Sequence, residues 1–385
     1  MSMNFIKVPT IYNGKGSLKE LRNMKQKRVL VVTDKTIRDL FGKKIERYLR
    51  KKEFAYFDEI EPDPRDETII KGAKFAKEFK PDLITGLGGG SVMDSAKGIY
   101  FLYEREDKNL YDINPLNYFK LGKKSKLILV PTTSGTGAEH TSAIIVSNSE
   151  TKQKIGLISY ELVPSAVIID PKLPLKMPKT LTASTGVDAI VHAVESIMNK
   201  LSNDFTDAVN LHAIKLLFEF LPQSYENGKK NLRAREKVHN AASLAGIGLA
   251  NSAAGLAHSC GHSLGALFDI QHGIAVGIML PYIIEFNSNI SKERYKLILD
   301  ALNVEINSSP TKALTELILK LFEELQIPTK IQDLGISKEI FNNKIKKLTD
   351  FTISDLATSL NPRTARKEDV ERIFYHAFNG KSIDF

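Results

Sequence analysis

The pattern of hydrophobic and polar positions divides the chain into two regions of different character. Through roughly the first 170 residues, short β-branched apolar runs alternate with segments of helical periodicity. This alternation is typical of a mostly parallel sheet with helices on both faces. The predicted strands cover residues 28–33, 55–57, 82–86, 126–130 and 166–170. The predicted helices include residues 36–52 and 66–79.

After residue 170 the pattern changes. Pro174 and Pro178 interrupt the chain, and segments rich in Ala, Leu and Lys with helical spacing then continue almost to the end. No convincing run of strands occurs in this half. We therefore predict an α/β domain over residues 1–178 and an all-α helical domain over residues 179–385, facing each other across a cleft of the kind that ligand pockets favour.

Five potential metal ligands are concentrated in the helical region. Asp188 and His192 are four residues apart, as are His258 and His262, so each pair projects from one face of a helix. His272 follows shortly after the second pair. One carboxylate with up to three imidazoles suits a divalent first-row metal that keeps an open position for chemistry. The spacing alone does not decide which of the last three histidines is not a ligand.

A glycine-rich segment follows the predicted strand at residues 82–86. Adjacent glycines allow a close backbone approach to a phosphate, and the helix that follows offers its N-terminal amides. The segment differs from the GxGxxG fingerprint and lacks the Gly-Lys-Ser/Thr ending of a P-loop. A tight turn without a ligand is the alternative. The predicted cofactor-binding residues here are Gly88, Gly89, Gly90, Ser91, Asp94 and Lys97.

A second polar loop follows the predicted strand at residues 126–130. Its hydroxyls and glycines suit phosphate, ribose or a carboxamide, although a simple Ser/Thr-rich turn is the alternative. Two such loops at the carboxyl ends of parallel strands favour a nucleotide site, because ligands of open α/β sheets bind there. The predicted cofactor-binding residues in this loop are Thr132, Thr133, Ser134 and Thr136.

Asp34 closes the first strongly apolar strand. A carboxylate at this place can accept hydrogen bonds from ribose hydroxyls and repels a 2′-phosphate, which favours NAD over NADP. The alternative is that Asp34 caps the helix that begins at Lys35.

Composition narrows the class of protein. The 385 residues, 42% of them hydrophobic, can bury a large core. Cys260 is the only cysteine, which excludes an intrachain disulfide and favours the cytoplasm. We find no apolar run of the roughly 18 residues that a membrane span requires. The net charge of +9 is spread over helices and turns rather than clustered with aromatic residues, so a nucleic-acid-binding protein is the less favoured interpretation.

The motifs together resemble the iron-containing, or group III, alcohol dehydrogenase family over nearly the whole chain. The resemblance implies a Rossmann-like N-terminal domain that binds NAD(P), a helical C-terminal domain and commonly a dimer. It implies that Asp188, His192, His258 and His272 bind the metal. His262 is then free to relay the substrate proton, or to orient or pack. The segments that carry the resemblance are residues 32–34, 88–97, 131–136, 177–178, 185–189, 255–258, 272–273 and 361–363.

The predicted function is reversible hydride transfer between a small alcohol or diol and NAD(P). The resemblance favours Fe²⁺ as the bound ion. By the Irving–Williams order, the same ligand set should bind Zn²⁺ at least as tightly. One alternative is a zinc polyol dehydrogenase of the glycerol dehydrogenase type. A second is a dehydroquinate synthase-like lyase, whose metal carboxylate is usually Glu, whereas Asp188 occupies that place here.

Overall fold

The computed structural model describes residues 6–150 and 154–385. The chain divides into two compact units, one ending at Leu175 and the other beginning at Lys176. The first unit packs around two hydrophobic clusters, and the second around one large cluster of its own. The predicted fold class, an α/β region followed by a helical region, is confirmed.

The first unit combines eight strands among its described residues with three α-helices and short 3-10 turns. Its strands are β1 (Thr10–Asn13), β2 (Arg28–Val32), β3 (Glu53–Phe57), β4 (Leu83–Gly88), β5 (Lys126–Pro131), β6 (Ala143–Ser147), β7 (Lys154–Ile158) and β8 (Ala166–Ile169). Its helices are α1 (Lys35–Leu49), α2 (Asp66–Phe79) and α3 (Gly90–Glu104).

Six of these strands form a parallel sheet in the order β1-β8-β5-β4-β2-β3. All five predicted strands are present in it. The sequence pattern did not reveal the edge strand β1 or the antiparallel pair β6–β7, which lies outside the sheet. The chain runs outward from β2 to β3, then returns to the other side of β2 at β4. The strand order therefore reverses between β2 and β4, which is where open α/β sheets bind ligands.

Strand β2 shows why the sheet is covered on both faces. Successive side chains of a strand point to opposite faces. Leu30 and Val32 pack into one cluster, whereas Val29 and Val31 pack into the other. All four are fully buried. A continuous apolar run of this kind is typical of a central parallel strand covered by helices on both sides.

The second unit is helical throughout. Its helices are α4 (Lys179–Met198), α5 (Asp204–Asn227), α6 (Leu232–Ser252), α7 (Leu256–Phe268), α8 (His272–Phe286), α9 (Ser288–Ala301), α10 (Pro310–Glu324), α11 (Lys338–Ser354), α12 (Leu356–Leu360) and α13 (Lys367–Asn379). Every residue of α4 from Thr182 to Met198 is buried. A helix buried on all sides is a core helix, so α4 can hold polar side chains in fixed positions.

Within the described ranges, no single helix is long and apolar enough to cross a membrane. Helices α8 and α9 satisfy the length and composition test only as a pair, and the pair is bent by 113°.

Candidate active site

Four side chains from three helices of the second unit converge on one point. Asp188 and His192 lie one turn apart on the buried helix α4. His258 lies in the first turn of α7, and His272 is the first residue of α8. One ligand atom from each residue lies within 4.8 Å of the others. The structure thus brings together the four residues that the family resemblance selected.

The spacing of these atoms suits a single metal ion. Asp188 Oδ1 lies 3.6 Å from His192 Nε2, 3.7 Å from His258 Nε2 and 3.4 Å from His272 Nε2. Four ligands arranged tetrahedrally at about 2.1 Å from an ion are about 3.4 Å apart. The observed distances therefore fit one bound cation.

Two of the buried ligand atoms support the same interpretation. Asp188 Oδ1 and His258 Nε2 make no hydrogen bond within the described part of the chain. Burial alone would raise the pKa of Asp188, but the facing histidines hold it well below its usual range, so the carboxylate is ionised. Buried polar atoms nearly always have a partner, and a cation would supply one here.

His262 stands beside the cluster rather than in it. Its ring stacks on that of His272, with centroids 5.3 Å apart. Its Nδ1 lies 2.7 Å from Asp355 Oδ2, and about 40% of its side chain is exposed. The Nδ1–H group donates to the carboxylate, so the second ring nitrogen, Nε2, faces away from Asp355.

Two carboxylates next to these histidines were not identified from the sequence. Glu195 lies 2.5 Å from His258 Nδ1, and Asp355 contacts His262. Glu195 follows Asp188 by seven residues, a helical spacing that signals a shared face. Asp355 is 93 residues from His262 in the chain, and no local pattern connects them.

The two predicted nucleotide loops lie side by side in the first unit. Gly88 ends β4, and α3 begins at Gly90. A Cβ atom on Gly90 would lie 3.1 Å from Thr136 Cγ2, and one on Gly89 would lie 3.6 Å from Thr133. Thr132 N donates to the Gly88 carbonyl at 2.9 Å. These contacts bring the glycine-rich and hydroxyl-rich segments together at the carboxyl edge of the sheet.

The start of α3 is open to an anion in the described structure. Gly89 precedes the helix, and no side chain within the described ranges caps its first amides. Ser91, in the first turn, is partly exposed, and the hydroxyl of Thr132 is buried without a hydrogen-bond partner among the described residues. Ser134 is also buried in the adjoining loop. An uncapped helix N-terminus next to hydroxyl groups is chemically suited to a phosphate.

Asp94 and Lys97 are engaged within the first unit itself. Lys97 is fully buried, and its ammonium group donates to Asp94 Oδ1 at 3.0 Å, Thr141 Oγ1 at 2.9 Å and the Ala143 carbonyl at 2.7 Å. Asp94 Oδ2 accepts from Ile145 N at 3.0 Å. Two of the three ammonium protons thus fasten Thr141 and Ala143 to α3, the third binds Asp94 within α3, and Asp94 in turn holds Ile145. Direct nucleotide contact by this pair stays a prediction.

Asp34 caps helix α1, as the alternative interpretation of this residue predicts. Its Oδ1 accepts a hydrogen bond from Ile37 N at 2.8 Å, which caps α1. The residue also follows β2, the strand next to β4 in the sheet. One carboxylate oxygen is used by the cap, and the second is available for a ribose hydroxyl. The two interpretations of Asp34 are therefore compatible.

An α/β unit with two adjoining phosphate-type loops, followed by a helical unit with one carboxylate and three imidazoles, is typical of a metal-dependent enzyme that uses NAD(P). Residues 9–171 match the family model described as iron-containing alcohol dehydrogenase. Residues 182–378 match the model of the C-terminal part of the Fe-containing alcohol dehydrogenase family. The chain belongs to the iron-containing alcohol dehydrogenase family.

Individual relatives agree with this assignment. The NADPH-dependent butanol dehydrogenase of Clostridium saccharobutylicum is 37% identical, and the alignment covers 100% of both chains. The NAD-dependent methanol dehydrogenase of Bacillus methanolicus is 30% identical over 97% of this chain and 99% of its own. The crystal structure of a 1,3-propanediol oxidoreductase superposes with a TM-score of 0.92 at 31% identity, covering 98% of this chain and 100% of that one. None of them supports the glycerol-type or lyase alternative.

Proposed function

We propose that this chain interconverts a small alcohol or diol with its aldehyde or ketone, using NAD(P). The convergence of four ligand atoms within 4.8 Å carries the proposal. When bound, the metal supplies a Lewis acid for the substrate oxygen and the nicotinamide exchanges the hydride. The protein's own part is to hold these groups, to keep them oriented and to handle the proton.

The ligand set for the metal is Asp188, His192, His258 and His272. Three of these side chains are almost completely buried, which favours a single fixed geometry. Family membership supports Fe²⁺ as the ion. Zn²⁺ is expected to bind the same nitrogen and oxygen atoms at least as tightly, so occupancy in the cell depends on metal supply.

The nucleotide is assigned to the α/β domain, residues 1–178, and the metal chemistry to residues 179–385. Residues 88–91 would hold the pyrophosphate at the start of α3, with the hydroxyls of residues 132–136 available to it. The carboxylate of Asp34 supports NAD as the preferred cofactor, because its free oxygen would repel a 2′-phosphate. Relatives named for NAD and for NADPH both occur, so the preference is a property to measure.

His262 is assigned the role of accepting the proton of the substrate alcohol. Its Nδ1–H donates to Asp355, which leaves Nε2 to accept a proton from the alcohol and pass it to solvent. The partial exposure of the ring provides the path to water.

We also propose that the enzyme is a cytoplasmic homodimer. The single cysteine suits a reducing compartment, and membership of a family in which dimers are common supports the assembly. Sedimentation of the purified protein measures its mass directly, and a monomer at micromolar concentration would contradict the second half of this proposal.

The deciding experiment is a panel of small alcohols, diols and aldehydes assayed with NAD and NADP after reconstitution with Fe²⁺ or Zn²⁺. Net formation of reduced cofactor from a simple alcohol is expected, whereas a lyase that reoxidises its cofactor in each turnover would accumulate none. If no alcohol or diol yields reduced cofactor with either metal, the dehydrogenase assignment fails.

Two variants test the site itself. His272→Ala should abolish activity and sharply weaken metal binding, because it removes a ligand. His262→Ala should slow turnover by about 100-fold or more, the usual contribution of a general acid or base, with the metal retained. Metal content measured after dialysis separates the two cases, and equal metal loss in both would refute the ligand assignment.

A further inference from the structure

Glu195 is a buried carboxylate of α4 that is not among the proposed ligands. Only 1% of the residue is exposed. It lies on the same helix as Asp188 and His192, and its Oε2 is 2.5 Å from His258 Nδ1. His258 is therefore held between two carboxylates: Asp188 faces its Nε2, and Glu195 faces its Nδ1.

Both oxygens of Glu195 also face backbone N–H groups at the start of α7. Oε1 accepts from Ala257 N at 2.5 Å, while Oε2 accepts from Gly255 N at 3.0 Å and from His258 N at 3.3 Å. Helix α7 has no side-chain cap of its own, since Gly255 precedes it. The negative charge of Glu195 stabilises the positive end of the helix that carries the histidine.

Gly255 leaves room for this close approach. A Cβ atom at this position would lie 2.9 Å from Glu195 Oε1 and 3.3 Å from Glu195 Cδ. The glycine thus allows the carboxylate to reach the helix end and the imidazole at the same time.

We infer that Glu195 is a positioning residue that fixes the ring orientation and the tautomer of His258 for metal binding. The inference rests on the metal site of the proposed function. With Nδ1–H donating to Glu195, Nε2 carries no proton and presents its lone pair to the ion. Groups that hold the second nitrogen of a metal-binding histidine are worth about 10- to 100-fold in metal affinity.

The same contacts predict that glutamine is a poor replacement for Glu195. An amide has only one accepting oxygen, whereas both positions here face N–H donors. If the NH₂ group takes the Oε1 position, it opposes Ala257 N. If it takes the Oε2 position, it opposes Gly255 N and offers a proton to His258 Nδ1, which moves the ring proton to Nε2 and blocks that ligand.

Glu104 provides a matched control. It is a buried glutamate in the first unit, and its oxygens accept from Lys123 N at 2.9 Å, Lys124 N at 2.9 Å and Ser125 N at 2.7 Å. Glu104→Gln therefore removes the same kind of buried carboxylate from three backbone donors, without touching the histidine cluster.

The test measures Co²⁺ and Zn²⁺ affinity of the full-length protein by competition with a chromogenic chelator. Glu195→Gln should raise both dissociation constants about 10- to 100-fold and change the visible spectrum of the Co²⁺ form. Glu104→Gln should leave both constants and the spectrum unchanged, even if its melting temperature falls. Dissociation constants of Glu195→Gln that stay within threefold of the unsubstituted protein would overturn the inference.

Two further variants keep the outcomes distinct. If Glu195→Gln does not fold, Glu195→Asp retains the charge but is one methylene shorter. It should still weaken Co²⁺ binding, and unchanged binding and spectrum would overturn the inference. His272→Ala tests the metal site itself. If the unsubstituted protein and His272→Ala bind Co²⁺ equally, the proposed metal site is wrong. If only His272→Ala loses tight Co²⁺ binding and the Glu195 variants keep it, the metal site is supported and the role of Glu195 is refuted.

Discussion

At the scale of single residues, His262 and Asp355 form a hydrogen-bonded pair whose geometry can be tested by one substitution. Asp355 Oδ1 accepts from Ala357 N and caps α12, while Oδ2 accepts from His262 Nδ1. In Asp355→Asn the amide oxygen is expected to keep the cap, because Asn is an equally good capping residue. The NH₂ group then faces His262 Nδ1 and moves the ring proton to Nε2.

We therefore expect Asp355→Asn to lower kcat by about 10-fold or more, since the group that should accept the substrate proton already carries one. Metal affinity should be nearly unchanged, because Asp355 contacts none of the four proposed ligands. Steady-state kinetics together with metal analysis provides the check. An unchanged kcat would refute both the orienting role of Asp355 and the proton-accepting role of His262.

Cys260 gives a second prediction at this scale. The residue is fully buried, and burial raises the pKa of its thiol far above the ordinary value. Because the thiolate is the reactive form, we expect no measurable reaction with a thiol reagent in the native protein. The unfolded protein should release one equivalent of chromophore, since the sequence has no other cysteine. Rapid labelling of the native protein would show that α7 opens.

The sequence predicts residues of this site to the extent that helical spacing connects them. Asp188 with His192 could be paired because they are four residues apart, and Glu195 obeys the same periodicity. The family resemblance was needed to exclude His262 from the ligand set. His258 and His262 are four residues apart, the same spacing as the ligand pair Asp188 and His192, so spacing alone could not separate them. Asp355 could not be found, since only the packing of separate helices brings it to His262.

At the scale of helices and strands, two glycines set how closely α8 can approach its neighbours. A Cβ atom on Gly273 would lie 2.0 Å from the Ser184 carbonyl oxygen in α4 and 3.3 Å from Asp188 Cβ. One on Gly261, in α7, would lie 2.8 Å from backbone atoms of Val276 in α8. Backbone atoms cannot rotate away as side-chain ends do. The three ligand-bearing helices are therefore in backbone contact at these points.

Gly273→Ala should consequently destabilise the protein by about 1–3 kcal/mol and weaken metal binding, because α8 must move away from α4 and carry His272 with it. Calorimetry and chelator competition measure the two effects. Gly42→Ala in α1 is the control: its nearest neighbours would lie 3.7 Å or more from the new methyl group, and a stabilisation of about 0.4–1 kcal/mol is expected. A Gly273→Ala protein as stable as its parent would contradict the close packing.

The strands show which elements a hydrophobic pattern can predict. The central strands β2, β4, β5 and β8 are buried on both faces, so apolar residues dominate their sequences. Strand β1 is mostly exposed at the sheet edge and lacks this pattern. Its pairing with β8 depends on a segment more than 150 residues away, which a local pattern does not report.

At the scale of the whole molecule, each of the two units has its own hydrophobic core. Removal of the metal therefore tests how much the ion stabilises the unit that holds it. All four proposed ligands belong to the unit that begins at Lys176. An ion that binds only the folded state stabilises it, by about 2.7 kcal/mol at a free concentration 100 times the dissociation constant. Saturation with Zn²⁺ should therefore raise the melting temperature of chelator-treated protein.

The effect should be absent in His272→Ala, which serves as the control for nonspecific metal effects. Differential scanning calorimetry with metal content measured on the same samples provides the reading. Identical melting curves for metal-loaded and metal-free protein would mean that the ion does not stabilise the folded state. That result would contradict the proposal that the four ligand atoms bind one ion.

The uneven burial of the four proposed ligands has a kinetic consequence. The side chains of Asp188, His192 and His258 are 3–5% exposed, whereas that of His272 is 42% exposed. We therefore expect that an ion arriving from solvent would meet His272 before the three buried ligands. The expected order of departure is the reverse, so the motion of this one imidazole is predicted to set how quickly one metal is exchanged for another.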